Sequence, residues 1–229
     1  MSTVQPPSQV SPHPELKVRA TQDFTVNGRG DNAAWKAVEW VPMNVRRDAK
    51  DAYPTRFKVL YSSKGLYVLM DAADKKLTST FTEDQSNLWT EDVFEVFLWT
   101  DERDPVYFEY EISPLNKELT ILVPNFDGTF LGWLPWHYDG ERRTEKAVST
   151  RGGPQQSMAA VEGWTAEFMI PYALLRPLRN VPPAKGTRWR ANFYRIDHDR
   201  GKEQSVQWDW SRVDKNFHDY KNFGTLVFE

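Results

Sequence analysis

The sequence contains no cysteine among its 229 residues. Disulfide bonds, thiol nucleophiles and cysteine-ligated zinc are therefore excluded. The sequence also has no large excess of charge of either sign, because 32 acidic residues nearly balance 29 basic residues and leave a net charge of −3. A surface for nucleic acid favours a clear basic excess. We therefore expect no nucleic-acid partner.

Long apolar runs are absent as well, so we expect no membrane insertion. The first fifteen residues, MSTVQPPSQVSPHPE, have neither the basic start nor the apolar centre of a signal peptide. The residues alone therefore do not indicate a cellular compartment. Their Pro, Ser and Gln content predicts a disordered or extended arm over residues 1–15. The remainder shows no repeat and no linker, which predicts a single domain over residues 16–229.

Long helical periodicity is missing, and short strand patterns separated by turn residues take its place. The predicted strands cover residues 57–61, 66–71, 92–99, 106–113, 164–170, 188–197 and 225–229. Residues 171–175 are predicted to form a short helical turn that starts with proline. This pattern indicates an all-β fold, an antiparallel β-sandwich with a jelly-roll or immunoglobulin-like two-sheet architecture.

Two neighbouring strands alternate between an apolar face and an acidic face. The face predicted to be buried carries Phe94, Val96, Leu98, Phe108, Tyr110 and Ile112. The other face carries Glu95, Glu109 and Glu111 among aromatic residues, and a symmetric hairpin would place Glu95 opposite Glu111. Opposed like charges destabilise a sheet, so an arginine (Arg195 or Arg190), a metal ion, a proton or ligand hydroxyls should offset them.

Aromatic residues are abundant, at 14% of the chain with ten Trp. Trp89 lies at a predicted loop-to-strand junction just before the acidic strand, and residues 207–220 form a second aromatic, polar loop. The irregular stretch 123–163, which includes Trp133, Trp136, His137 and Tyr138, has the length of an insert that either carries function or is mobile. Aromatic faces cover the apolar face of a sugar ring, while polar groups bind its hydroxyls. These features predict a protein that binds carbohydrate without catalysing a reaction on it.

Two other functions remain open from the residues alone. Glu95 paired with Glu109 or Glu111 is the kind of carboxylate pair that a glycoside hydrolase uses. A haem-binding redox sandwich would need an axial pair, for which Met70 and His137 are the candidates. Asp197, Asp199 and Asp209 cluster near predicted strand ends and suggest a calcium site, because calcium prefers oxygen ligands.

A series of motifs from about residue 20 to the C-terminus resembles the family 9 carbohydrate-binding modules. The series is Asp31 with Trp35, FKVLYSSKGLYVLMDAAD, LWTEDVFEVFL, YFEYEISP, GWTAEFMIPYALL, RWRANFYRID and FHDYKNFGTLVF. The resemblance implies a β-sandwich that binds plant-type oligosaccharide or polysaccharide ends in support of carbohydrate catabolism. It also implies frequent calcium, work beside glycoside hydrolases, and an extracellular or periplasmic location.

The same resemblance implies roles for particular residues. Trp89 matches the first of two aromatic residues that clamp a sugar end, and Glu95 matches an acid that binds its hydroxyls. The second aromatic position falls at Phe217, His218 or, further back, Trp210. Together with the acidic face, the expected ligand-binding set is Trp89, Glu95, Glu109, Glu111, Arg195, Trp210, Phe217 and His218.

Overall fold

The structure is a computed structural model and describes residues 13–46, 52–136 and 138–229. Most of the predicted N-terminal arm, residues 1–12, lies outside the described residues. The last residue of that arm, Glu15, is instead the first residue of a strand. Among the described residues no helix has the length and apolar character needed to cross a membrane.

Short strands dominate the described part of the chain. They are β1 (Glu15–Ala20), β2 (Val41–Pro42), β3 (Asn44–Val45), β4 (Thr55–Tyr61), β5 (Gly65–Ala73), β6 (Val93–Trp99), β7 (Val106–Ile112), β8 (Glu118–Phe126), β9 (Thr129–Phe130), β10 (Leu134–Pro135), β11 (Glu145–Arg151), β12 (Gly163–Pro171), β13 (Arg188–Asp197), β14 (Val206–Asp209) and β15 (Gly224–Phe228). One α-helical turn, α1 (Tyr172–Leu175), follows Pro171. Single 3-10 turns cover Ala33–Ala37, Leu88–Thr90, Gly140–Arg142, Lys202–Gln204 and Tyr220–Asn222.

The strands form two layers that share β1. The front sheet has the order β10-β8-β7-β6-β13-β15-β1, with β14 also paired to β13 and β3 paired to β14. The back sheet has the order β1-β4-β5-β12-β11, with β2 also paired to β4. The first four residues of β1 pair with β15 and its last two residues pair with β4, both in parallel. The predicted all-β sandwich is confirmed, but β1 makes its pairing mixed rather than purely antiparallel.

The main core lies between the two sheets. Phe57 of β4 stacks on Phe193 of β13 at 3.9 Å between ring centroids, and Phe94 of β6 stacks on Trp164 of β12 at the same distance. The six residues predicted to share a buried face on β6 and β7 are all fully buried in this core. Period-2 alternation therefore assigned this face correctly, because one side of each strand packs against the opposite sheet.

The stretch from residue 123 to 163 is more ordered than its composition predicts. Strand β8 continues to Phe126, and β11 pairs with β12 along all seven of its residues, Glu145–Arg151. Strand β11 is half-exposed at the edge of the back sheet and has few apolar residues, so its sequence carries little strand signal. In the middle of this stretch β9 and β10 both pair with β8, and Phe130 and Trp133 lie near the acidic face.

Candidate functional site

A cavity of about 490 Å³ lies on the outer face of the front sheet, away from the main core. This volume falls in the range of small-molecule binding sites. Strands β6, β7, β8 and β13 contribute its floor, and loops after β3, before β6, around β9 and before β15 complete it. The lining residues are Arg46, Trp89, Glu95, Phe97, Glu109, Glu111, Ile121, Phe130, Trp133, Ile196, Gln207, Lys215, Asn216, Phe217 and His218.

Three glutamates from two adjacent strands meet at the floor. Glu95 of β6 lies directly opposite Glu111 of β7, and Glu109 lies opposite Phe97, as the alternation predicts. All three side chains are buried, and Glu111 is completely so. Neither carboxyl oxygen of Glu111 has a hydrogen-bond partner among the described residues, although Glu109 and the Trp89 backbone lie near enough to shift its pKa. These carboxyl groups are thus aimed into the cavity with unused hydrogen-bonding capacity.

Burial raises the pKa of each glutamate well above the usual value near 4.5. Mutual repulsion adds to the effect of burial: Glu111 raises the pKa of Glu95, Glu95 raises that of Glu109, and Glu109 raises that of Glu111. Desolvation and like charge both disfavour the ionised form. The three carboxyl groups therefore favour the protonated form, and a cation bound beside them would favour the ionised form.

One part of the lining is aromatic and partly exposed. Trp89, in the 3-10 turn just before β6, is half-buried and meets the edge of Trp133 at 5.9 Å between ring centroids. Trp133 keeps 39% of its surface exposed, and Phe130 keeps 43%. Exposed aromatic faces beside buried carboxyl groups are suited to a ligand with apolar faces and polar edges.

Phe217 and His218 form another part of the lining. Phe217 stacks on Tyr194 at 4.0 Å, and His218 is stacked between Phe130 (4.2 Å) and Phe97 (5.6 Å). His218 Nδ1 is hydrogen-bonded to the Tyr107 hydroxyl at 2.6 Å. Burial lowers the pKa of His218 to about 4, so the ring is neutral near pH 7. It therefore cannot neutralise the glutamates.

Arg46, which the sequence does not single out, is a cation that reaches the acidic floor. Its charge lowers the pKa of Glu95. Its guanidinium also donates to Gln207 Oε1 at 2.9 Å and lies 3.5 Å from Asp209 Oδ2. Arg46 reaches the site because β3, which ends one residue before it, pairs with β14. That long-range pairing gives no local signal in the sequence, whereas Trp133 and Phe130 lie in the insert that was expected either to carry function or to be mobile.

The predicted position of Arg195 is wrong. In the β13–β6 register Arg195 lies opposite Phe94, so it points into the core rather than toward Glu95. Its guanidinium is fully buried, lies over the Trp208 ring at 4.6 Å, and pairs with Asp197 and Asp74 at 2.7 and 3.1 Å. The alternative, Arg190, pairs with Glu102 and with backbone carbonyls near Phe223. Neither arginine lines the cavity.

The predicted position of Trp210 is wrong as well. Trp210 is 6% exposed and packs edge-on against Phe57 and Phe193 in the main core. A Cβ atom at Gly224 would lie 2.5 Å from its ring, so glycine is needed there for the close approach. The other six predicted residues, Trp89, Glu95, Glu109, Glu111, Phe217 and His218, do line the cavity.

A second acidic cluster lies at the ends of β5 and β13. Carboxyl oxygens of Asp74, Asp197 and Asp199 lie within 4.8 Å of one another. Burial raises the pKa of Asp74 to about 6, with Arg195 opposing and Asp197 adding to the shift. Asp209, which the sequence grouped with this cluster, pairs with Arg46 instead. Strand pairing places Asp209 away from the other three aspartates, because Asp209 lies opposite Tyr194 on the outer face of the front sheet.

Residues 26–229 match the model of the family described as carbohydrate family 9 binding domain-like. A protein of Arthroderma benhamiae named "Extracellular protein" is 28% identical over 203 residues, covering 85% of this chain and 86% of that protein. A Bacteroides uniformis protein proposed to bind carbohydrate is similar in fold, with a TM-score of 0.76, 16% identity, and coverage of 95% of this chain and 100% of that chain.

A family 9 carbohydrate-binding module of Caldicellulosiruptor kristjanssonii, solved in complex with cellotriose, has a TM-score of 0.67 at 17% identity, covering 94% of each chain. The hydrolase and haem alternatives gain no support from these findings; Met70 is buried in the core, and His137 lies outside the described residues. The chain belongs to the carbohydrate family 9 binding domain-like family, and its function is the binding of carbohydrate.

Proposed function

We propose that the cavity on the front sheet is the carbohydrate site and that it receives the end of an oligosaccharide or polysaccharide of plant type. The observation that carries this proposal is the combination, in one cavity, of partly exposed aromatic walls with buried Glu111 oxygens that have no hydrogen-bond partner among the described residues. Sugar hydroxyls would donate to the carboxyl oxygens, and Trp89 and Trp133 would cover the ring's apolar face. The complexes of the Caldicellulosiruptor module with cellotriose and with glucose support a glucan-type ligand.

The test is a titration of the protein with cello- and xylo-oligosaccharides, followed by calorimetry. We expect Trp133→Ala to weaken binding by about tenfold or more, on the scale of an interface hot spot of roughly 2 kcal/mol. Leu134→Ala is the matched control, because Leu134 is 60% exposed on the same segment but does not line the cavity. Equal affinity of wild type and Trp133→Ala would move the site elsewhere on the molecule.

A calcium ion held by Asp74, Asp197 and Asp199 is a further part of the proposal. The donor set fits, because calcium prefers carboxylate oxygens and three carboxyl groups lie together here, of which Asp74 and Asp197 also pair with Arg195. Asp199 Oδ1 is buried without a hydrogen-bond partner in the described part of the chain, while Asp199 Oδ2 accepts from the Tyr53 hydroxyl at 3.0 Å. A bound ion would neutralise the remaining negative charge and use that oxygen.

The proposed setting is outside the cytoplasm, extracellular or periplasmic, where the protein would bind polysaccharide beside glycoside hydrolases and support carbohydrate catabolism. The name of the Arthroderma relative supports the location. Absence of catalysis in the protein itself is part of the proposal. Release of shorter sugars from the same oligosaccharides, abolished by Glu95→Gln, would contradict it.

A further inference from the structure

The acidic floor of the cavity holds three carboxyl groups, and the cations near it among the described residues could not balance them if all three ionised. Glu95, Glu109 and Glu111 are all buried there. Arg46 approaches from one side, but its guanidinium is shared with Asp209 and Gln207. Lys215 lines the cavity with an exposed side chain, where solvent screens its charge.

A neutral sugar would leave these carboxyl groups in the protonated form that burial favours. Its hydroxyls can donate hydrogen bonds to the carboxyl groups, but they bring no positive charge, and binding removes the remaining water from the floor. Buried carboxylates are costly unless they are paired with a cation. The fully buried Glu111, with both oxygens unpartnered among the described residues, is the group that most needs such a partner.

The aromatic walls of the cavity also favour a ligand that carries a positive charge. Trp89, Phe130, Trp133 and Phe217 all line the cavity. The face of an aromatic ring carries a negative electrostatic potential and attracts an ammonium group, most strongly when water is excluded. Arg46 already lies 4.9 Å from the centre of the Phe217 ring, so a cation is accommodated at this wall.

We infer that the cavity selects a sugar that carries a free, protonated amino group, such as a 2-amino-2-deoxyhexose end, over the neutral sugar of the same ring stereochemistry. This inference rests on the proposed function, since it specifies the ligand of the same cavity. The ammonium group would lie among the three glutamates and donate charge-assisted hydrogen bonds to them. The remaining ring would lie against the aromatic walls.

The first experiment compares three β-1,4-linked disaccharides that differ only at the second carbon of each ring: cellobiose, the disaccharide of glucosamine, and its di-N-acetylated form. Calorimetric titrations are done below the pKa of the sugar amines. We expect the free amine to bind at least tenfold more tightly than the other two, a difference of about 1.4 kcal/mol. Added salt should weaken binding of the amine and leave cellobiose unchanged.

The second experiment removes one charge from the floor. Glu111→Gln keeps the side-chain shape, and we expect it to reduce the preference for the amine to about threefold or less. Glu118→Gln is the matched control, because Glu118 is equally buried on β8 but faces the core, where Tyr110 and Lys146 contact it. This control should keep the full preference. If Glu111→Gln fails to fold, Glu109→Gln takes its place.

The outcomes separate the inference from the proposed function. Cellobiose binding as tightly as the amine would overturn the inference and leave a sugar site in the cavity. Absence of binding by all three disaccharides and by the plant-type oligosaccharides would overturn both. A preference for the amine that Trp133→Ala and Glu111→Gln leave unchanged would place the amine outside the cavity and overturn the inference alone.

Discussion

The tryptophan side chains of this protein differ mainly in their exposure to solvent. Trp164 is fully buried between the sheets and donates its indole N–H to Asp74 at 3.1 Å. Trp89 is half-buried in a short turn at the cavity. The same residue type therefore stabilises the fold in one place and offers a binding surface in the other.

Substitution of each tryptophan by alanine separates these roles. We expect Trp89→Ala to cost roughly 2 kcal/mol or more of sugar-binding free energy while changing the melting temperature little. Trp164→Ala should instead cost about 3–5 kcal/mol of unfolding free energy, because it leaves a large cavity in the core. Calorimetric titration and thermal unfolding of both variants provide the comparison. A large loss of stability in Trp89→Ala, with normal binding by the folded fraction, would assign Trp89 to the core.

At the scale of the strand pair, the β6–β7 register brings like charges together. Glu95 and Glu111 are directly opposed, and Glu109 follows on the same face. Other titratable or charged groups around them are Arg46, Lys215, His218, Tyr107 and Tyr194. Burial raises the pKa values of both tyrosines, so these side chains stay neutral. Folding lowers the pKa of His218 from its usual 6.5, so above pH 6.5 its ring is neutral in both the folded and the unfolded chain.

The three glutamates should therefore make the sugar-free protein less stable as pH rises from about 4.5 through their raised pKa values, and His218 opposes this trend only below about pH 6.5. A glutamate whose pKa is raised by folding binds its proton more tightly in the native state, so its contribution is present at low pH and is lost as pH rises through the raised value. Each such proton changes the unfolding free energy by up to about 1.4 kcal/mol per pH unit. Chemical denaturation at several pH values measures the slope, which Glu111→Gln should reduce. A slope that this variant leaves unchanged would place the effect in other groups.

At the scale of the whole molecule, two features connect the sheets outside the apolar core. Strand β1 pairs with β15 of the front sheet through its first four residues and with β4 of the back sheet through its last two. Asp74, just after β5 of the back sheet, and Asp197, at the end of β13 of the front sheet, both contact Arg195. A cation held by these carboxylates with Asp199 would tie the two layers together.

Chelation should consequently lower the melting temperature. An ion that binds only the native state at a hundredfold excess over its Kd adds about 2.7 kcal/mol, which corresponds to roughly 5–10 °C for a chain of this size. Calcium added back should restore the melting temperature in wild type and in Asp209→Asn, but not in Asp199→Asn. Equal melting temperatures with calcium and with chelator, together with no calcium by elemental analysis, would refute the calcium proposal.

The sequence by itself determined the sandwich class, the buried face of β6 and β7, and the acidic face opposite it. These features are local: alternation along a strand and a short hairpin set which side chains share a face, and apolar residues occupy only one face of the pair. Trp89 and the loop before β15 were also predictable, because aromatic residues stand there next to strand ends. The resemblance of the ordered motifs then indicated the family.

Only the tertiary structure decided which distant residues join these groups. Both faces of β13 carry apolar residues, so alternation could not say that Arg195 points inward with Phe193 rather than outward with Tyr194. Arg46 reaches the cavity and Asp74 joins Asp197 through pairings between strands far apart in sequence. Such pairings depend on how the sheets close around the core as a whole, and no single segment of the sequence contains that information.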